Sequence, residues 1–132
     1  MTVAAAVTFI QAGVSALAGM RNAPATVPDS TAVFPFAVSY ISACDVEQRS
    51  IGNRKHEYTI TTEIHVARKD LPRDMTVVST YPPLFTDFIF TDVRLGGAVS
   101  TVIGSVTGTL VPSQWGGVET LAWVFLTKVK VM

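Results

Sequence analysis

The most regular stretch of the chain is Lys55–Ala67, KHEYTITTEIHVA. His56, Tyr58, Ile60, Thr62, Ile64 and Val66 take the even positions, and Glu57, Thr59, Thr61, Glu63 and His65 the odd ones. Strict alternation in β-branched and aromatic residues predicts a strand with one buried and one wet face. It is roughly twice the usual strand length and needs partners throughout. Phe34–Ser42, Thr101–Val111 and Glu119–Val131 are patterned to supply them. Phe34, Phe36, Val38 and Tyr40 alternate in the first, and Pro35 removes one ladder donor, which places its start at an edge or outside the sheet. Asp45–Arg54 (DVEQRSIGNR) is polar with a turn signal at Gly52-Asn53, which predicts a β-hairpin with a charged tip. Thr101–Val111 alternates weakly, with Gly104 and Gly108 where large inward residues could stand; close approach by a neighbour, or bulges, would explain them. Pro112–Gly117 reads as a turn carrying Trp115. The last strand sets Leu121, Trp123, Phe125, Val129 and Val131 on one face, and Lys128 and Lys130 on the other.

Two segments carry the helical period instead. Val3, Val7, Ile10, Val14 and Leu17 form the stripe of an amphipathic helix over Val3–Met20, whose polar face has no charge. Asn22 and Pro24 can end it, and Ala23–Thr31 is an aperiodic connection. After a turn at Arg68–Pro72, Asp70 offers an N-cap and Pro72 suits a first helical turn. Met75, Val78, Leu84, Phe85, Phe88 and Ile89 recur through Phe90, with a break expected near Thr80 from Pro82-Pro83 and an end at Gly96-Gly97. The order α–β–β–α–β–β predicts one α+β domain over residues 1–132. Its core would be a mainly antiparallel sheet of about four strands with helices on one face.

Composition adds one thing the pattern does not. Charged residues are 15% of the chain, against about 25% in an ordinary soluble domain. Twelve of the twenty lie between Asp45 and Asp74, and Ala98–Val118 has none. The charge-poor regions are also apolar, which points to surface buried against other subunits, with a surface covered by Thr, Ser and Gly as the alternative. Ten basic and ten acidic residues balance, so no global field draws the chain to nucleic acid or an anionic membrane. The N-terminal apolar run lacks a basic flank, its first charge being Arg21, and Thr8, Gln11 and Ser15 interrupt it; neither a signal peptide nor a membrane span is expected.

Candidate chemistry is sparse. His56 and His65 differ in parity, so they face opposite sides of a strand and cannot share a metal. His65 beside Glu63 and Glu57 reads as a surface histidine among solvated charges, with a carboxylate–imidazole pair as the alternative. The lone Cys44 excludes an intramolecular disulfide, suits synthesis in a reducing cytoplasm, and has Asp45 beside it to disfavour a thiolate. Gly96-Gly97 and Gly116-Gly117 lack the context of a phosphate cradle. No catalytic, metal or cofactor site is expected, and the chain does not read as an enzyme. Arg49, Arg54, Lys55, Arg68, Lys69 and Arg73 are cancelled by interspersed acids, which argues against nucleic-acid recognition.

In its order of elements the chain resembles the tail terminator (tail-completion) proteins of long-tailed bacteriophages. The stretches that carry the resemblance are His56–Arg68, Met75–Phe90 and Val118–Val131. It implies a hexameric ring in the virion that caps the tail tube, docks against head–tail connector proteins, and passes DNA unread through its lumen. Under that reading the hairpin tip, with Glu47, Arg49, Ile51, Arg54 and Lys55, would meet a partner or the lumen. Val14, Ile103 and Trp115 would lie at subunit contacts. A neck adaptor or stopper is the alternative in the same class. From a different class comes a small ligand-binding module lined by Phe85, Phe88, Trp123 and Phe125.

Overall fold

We describe the protein from a computed structural model. The described residues are 3–17, 20, 35–50, 53–68, 71–92, 94–97, 99, 101–102, 106–115 and 118–131, without the side chains of 47–50, 53–55, 71–73, 115, 118 and 131. The elements run α1 (Val3–Ser15), β1 (Phe36–Ser50), β2 (Asn53–Ala67), α2 (Leu71–Val78), α3 (Tyr81–Thr91), β3 (Thr101–Val102), β4 (Thr107–Trp115) and β5 (Val118–Val131). The fold is α+β, and every strand pair is antiparallel.

The long alternating strand is β2, paired along its length by β1 on one side and β5 on the other. On the far side of β5, β4 faces residues 118–126 and β3 faces Val129 and Lys130. The two short strands thus share one edge, so five strands fill four positions. The strand expected at Thr101–Val111 is this edge, and it continues through Pro112 to Trp115 instead of turning there. Proline is tolerated because an edge strand has a row of N–H groups without ladder partners.

Helices cover the sheet face that carries Ile60, Ile64, Val66, Leu121, Phe125 and Val129. Against it pack Ala6, Ile10 and Val14 of α1, Val78 of α2, and Tyr81, Phe85 and Ile89 of α3. Two contacts fix how closely the layers meet. Gly13 sits under the Phe88 ring, where a Cβ would lie 2.0 Å from Cζ, so α1 and α3 touch through a missing side chain. The Trp123 indole N–H donates to the Val78 carbonyl at 2.7 Å, satisfying one of the acceptors that a helix C-terminus leaves open. Gly108 lies beside the rings of Phe125 and Trp123, the close approach its sequence position implied; Gly104 falls outside the described residues.

Several expectations need correction. α1 stops at Ser15 rather than Met20, closing in tight turns from Gly13 O to Ala16 N and from Val14 O to Leu17 N. Asn22, Pro24 and Asp70 fall outside the described residues. The break near Thr80 is real, but Pro82 and Pro83 occupy the first turn of α3, where no N–H is needed. That helix ends at Thr91, before Gly96-Gly97; those glycines serve a following turn at φ 69° and 85°. Residues 45–50 and 53–54 are not part of a wide polar turn: β1 and β2 pair through them, with Gln48 opposite Arg54. Polarity misleads here because the hairpin runs into solvent. Residues 41–46 are exposed without exception, so no buried face imposes alternation.

The face of β2 expected to be wet is largely closed. Thr61, His65, Phe36, Val38 and Ala122 are all buried there, opposite the helical layer. That face opens toward the hairpin's outer half and toward β4, where Leu126, Thr107 and Thr109 are exposed.

Candidate functional site

Two groups of residues stand out from the packed core. The first is the outer half of the hairpin. At residues 41–46 every position of β1 is exposed, and the paired stretch 56–59 of β2 is half-buried. Register puts Ile41, Cys44 and Val46 on the helix-side face with Tyr58 and His56, whose rings stack at 6.3 Å. Asp45 and Glu57 share the opposite face with Lys130. The hairpin is therefore amphipathic where no core requires it. Ile41 and Val46 are 44% and 47% exposed, high for large apolar side chains. A bulge between Ile41 and Ala43 leaves Ser42 as the extra residue, held by its hydroxyl on the Thr59 carbonyl at 3.2 Å.

The second group crosses the sheet on the face away from the helices. Tyr40 on β1 donates its hydroxyl hydrogen bond to Glu63 Oε2. Glu63 Oε1 stands 3.1 Å from His65 Nε2 on the same strand, and His65 Nδ1 stands 2.9 Å from Thr120 Oγ1 on β5. A carboxylate only accepts, so in the neutral imidazole the proton sits on Nε2 and Nδ1 accepts from Thr120. The hydrogen bond from His65 holds the Glu63 carboxyl below the usual carboxylate range, against the opposing effect of burial and with help from Tyr40. Burial pushes the Tyr40 phenol up to about 12, reinforced by its hydrogen bond to Glu63 and the nearby negative charge. His65 is thus not a surface residue: it is 1% exposed and forms the carboxylate–imidazole pair.

Carboxylate, imidazole and hydroxyl in sequence is an order that can activate a nucleophile. Here the hydroxyl belongs to a threonine that is 1% exposed, and its hydrogen bond is spent on the imidazole. Thr120 also walls a shallow cleft of about 270 Å³ with Arg68, Pro112, Ser113, Gln114 and Glu119. What the arrangement does in this structure is tie β1, β2 and β5 together with satisfied polar groups. Among the described residues no group of three or more His, Cys, Asp or Glu could hold a metal ion. Nor is any helix among them long and apolar enough to cross a membrane.

The residues singled out from sequence fall in different places. Glu47 and Lys55 face each other near the hairpin tip, with Arg54 opposite Gln48 and Arg49 between paired positions. Their side chains lie outside the described residues, as do Ile51 and Ile103 entirely. Trp115 closes β4 opposite Val118, its side chain likewise outside the description. Val14 must be reassigned. It is 0% exposed inside its own subunit, so it has no surface to offer another. The outward positions of α1 are Ala4, Ala5, Thr8, Ala12 and Ser15. Phe85, Phe88, Trp123 and Phe125 are packed core: Phe85 stacks on Phe125 at 4.5 Å, Trp123 on Phe125 at 5.7 Å, and Phe88 on Phe9 at 5.6 Å. The alternation of Phe36, Val38 and Tyr40 does not point to the exposed Ile41, Cys44 and Val46, because those three take the opposite face and the bulge at Ser42 changes the parity between Ile41 and Cys44.

No protein-family model matches the chain, and no curated protein matches it in sequence.

Proposed function

We propose that the protein is a structural subunit of a phage virion that works as a ring, of the tail-terminator kind. It would cap the tail tube, present a docking surface to the head–tail connector, and leave a lumen for DNA. The observation that carries this reading is the projecting hairpin, whose helix-side face exposes Ile41, Cys44 and Val46 although nothing in the subunit's own core needs them there. Contiguous apolar surface on a soluble chain marks an interaction site. The shortage of charge over residues 98–118 and 1–20 supports the same reading, since interface centres are depleted in charge. In such a protein function lies in interfaces, and the Tyr40–Glu63–His65–Thr120 chain serves to hold the sheet. A neck adaptor or stopper would use the same surfaces, and its partner separates it from a terminator.

The test is co-sedimentation of the purified protein with isolated, unjoined phage tails and, separately, with filled heads. A terminator binds one end of the tails and blocks further tube growth. Binding to heads alone would identify an adaptor, and binding to neither would contradict both.

A further inference from the structure

Resting on the ring reading, we propose that neighbouring subunits join by main-chain pairing of their sheet edges. The β4 edge of one copy would lie against the outer half of β1 in the next, so that one sheet runs on from subunit to subunit. The partner of this surface is a second copy of the same chain.

Four observations lead there. Among the described residues β1 pairs only with β2, and β4 only with β5, so each offers an outer edge. The β4 edge is free of charge over nine residues, TGTLVPSQW at Thr107–Trp115, and the open part of β1, residues 41–46, carries one charge, Asp45. Monomeric sheets guard such edges with lysines and inward charges; here Pro112, the bulge at Ser42 and Asp45 are the only devices among the described residues of these runs. The inner part of β1 is closed, since residues 36–39 are buried and the Ala37 carbonyl accepts from Gln11 Nε2 at 2.8 Å. What remains open on β1 is residues 41–46, and on β4 most positions are exposed.

The direction of the strands selects the mode of contact. Four antiparallel positions alternate in direction, so β1 and β4 run opposite ways. A second copy set beside the first in the same orientation then brings β4 antiparallel to β1 with no inversion. That contact is heterologous, uses both edges at once, and can close by rotation into a ring. A two-fold contact would consume one kind of edge and leave the other open.

The offset between the edges also fits. Thr107 stands level with Tyr40 through Leu126 and Thr61, so β4 must slide toward the hairpin tip to reach residues 41–46. Four strands about 4.8 Å apart, tilted by about 40° as in closed barrels, shift neighbouring edges by about 16 Å, or about five residues. Paired residues share a face, so the slide is even, and a slide of about six residues sets Cys44 opposite Leu110 with Pro112 as its diagonal neighbour.

Cys44, the sole cysteine and exposed, is a built-in reporter. It lies on the helix-side face, as do Leu110 and Pro112, whereas Thr109 faces the other way. The experiment compares the full chain with Leu110→Cys, Pro112→Cys and Thr109→Cys after mild oxidation, on non-reducing gels. Light scattering of the reduced proteins runs in parallel and reports both folding and assembly. Edge pairing predicts a ladder of covalent oligomers, from dimer upward, for Leu110→Cys or the more exposed Pro112→Cys. The natural chain and Thr109→Cys should give none. Assembled rings without a ladder would overturn edge pairing and leave the ring standing. A ladder on open filaments would keep the pairing and overturn the ring. Dimers of the natural chain through Cys44 would show a two-fold contact and overturn the heterologous one, and monomers throughout would overturn both.

Discussion

A valine and an isoleucine separate folding from assembly. Val14 is 0% exposed within the subunit, whereas Ile41 is 44% exposed on the hairpin. Aspartate at position 14 buries a carboxylate with no partner, so Val14→Asp should cost at least ~3 kcal/mol and unfold the chain in denaturant titration. Ile41→Asp should change unfolding free energy by about 0.5 kcal/mol or less, and its effect should fall on subunit association instead. The polar chain on the other face has its own signatures. Glu63 has a depressed folded pKa, so its stabilising effect is complete above the ordinary carboxylate value of 4.5 and fades as pH falls through the folded value. Acid titration of stability should therefore lose a component below that value in the natural protein, and Glu63→Gln should remove it, with a loss of about 1–3 kcal/mol at neutral pH. Tyr40 carries the opposite sign. Its phenol is favoured protonated, so its contribution persists below 10 and disappears as pH rises toward about 12. Burial raises the Tyr81 phenol as well, so ultraviolet titration should show late-ionising tyrosines of which Tyr40→Phe removes one and leaves Tyr81.

The strands were legible as elements because burial on the helical side imposes period two on Tyr58–Val66 and Leu121–Val129. The bounds failed where that burial stops. Between Ile41 and Ser50 the chain is still paired strand, but the bulge at Ser42 shifts its alternation onto the other face and charged residues from Asp45 onward mask it. The closed second face was equally hidden. Thr61, Glu63 and His65 look solvated by type, and only the assembled sheet shows Phe36, Val38 and Thr120 beside them. Helix packing carries a further expectation. Gly13→Ala raises helix propensity by about 1 kcal/mol, yet its Cβ would stand 2.0 Å from the Phe88 ring. The clash should dominate, for a net loss of about 1–3 kcal/mol in thermal or denaturant unfolding. If Gly13→Ala instead stabilised the protein, the close α1–α3 contact would be wrong.

For the whole molecule, the central claim is that this chain completes itself only as a ring. A charge-poor chain with sheet edges that, among the described residues, stay unpaired at β4 and at the outer half of β1, and with an exposed apolar hairpin face, has surfaces a monomer does not need. Val46→Asp, at a position 47% exposed, should leave a folded monomer in place of the proposed ring. The measurement that reaches the claim most directly is the native mass of the purified protein, with negative-stain images of the same sample. Six times the 14.1 kDa subunit mass and a six-fold ring with a central hole are predicted. A monodisperse 14.1 kDa species that stays monomeric at high concentration and ignores isolated tails would contradict it.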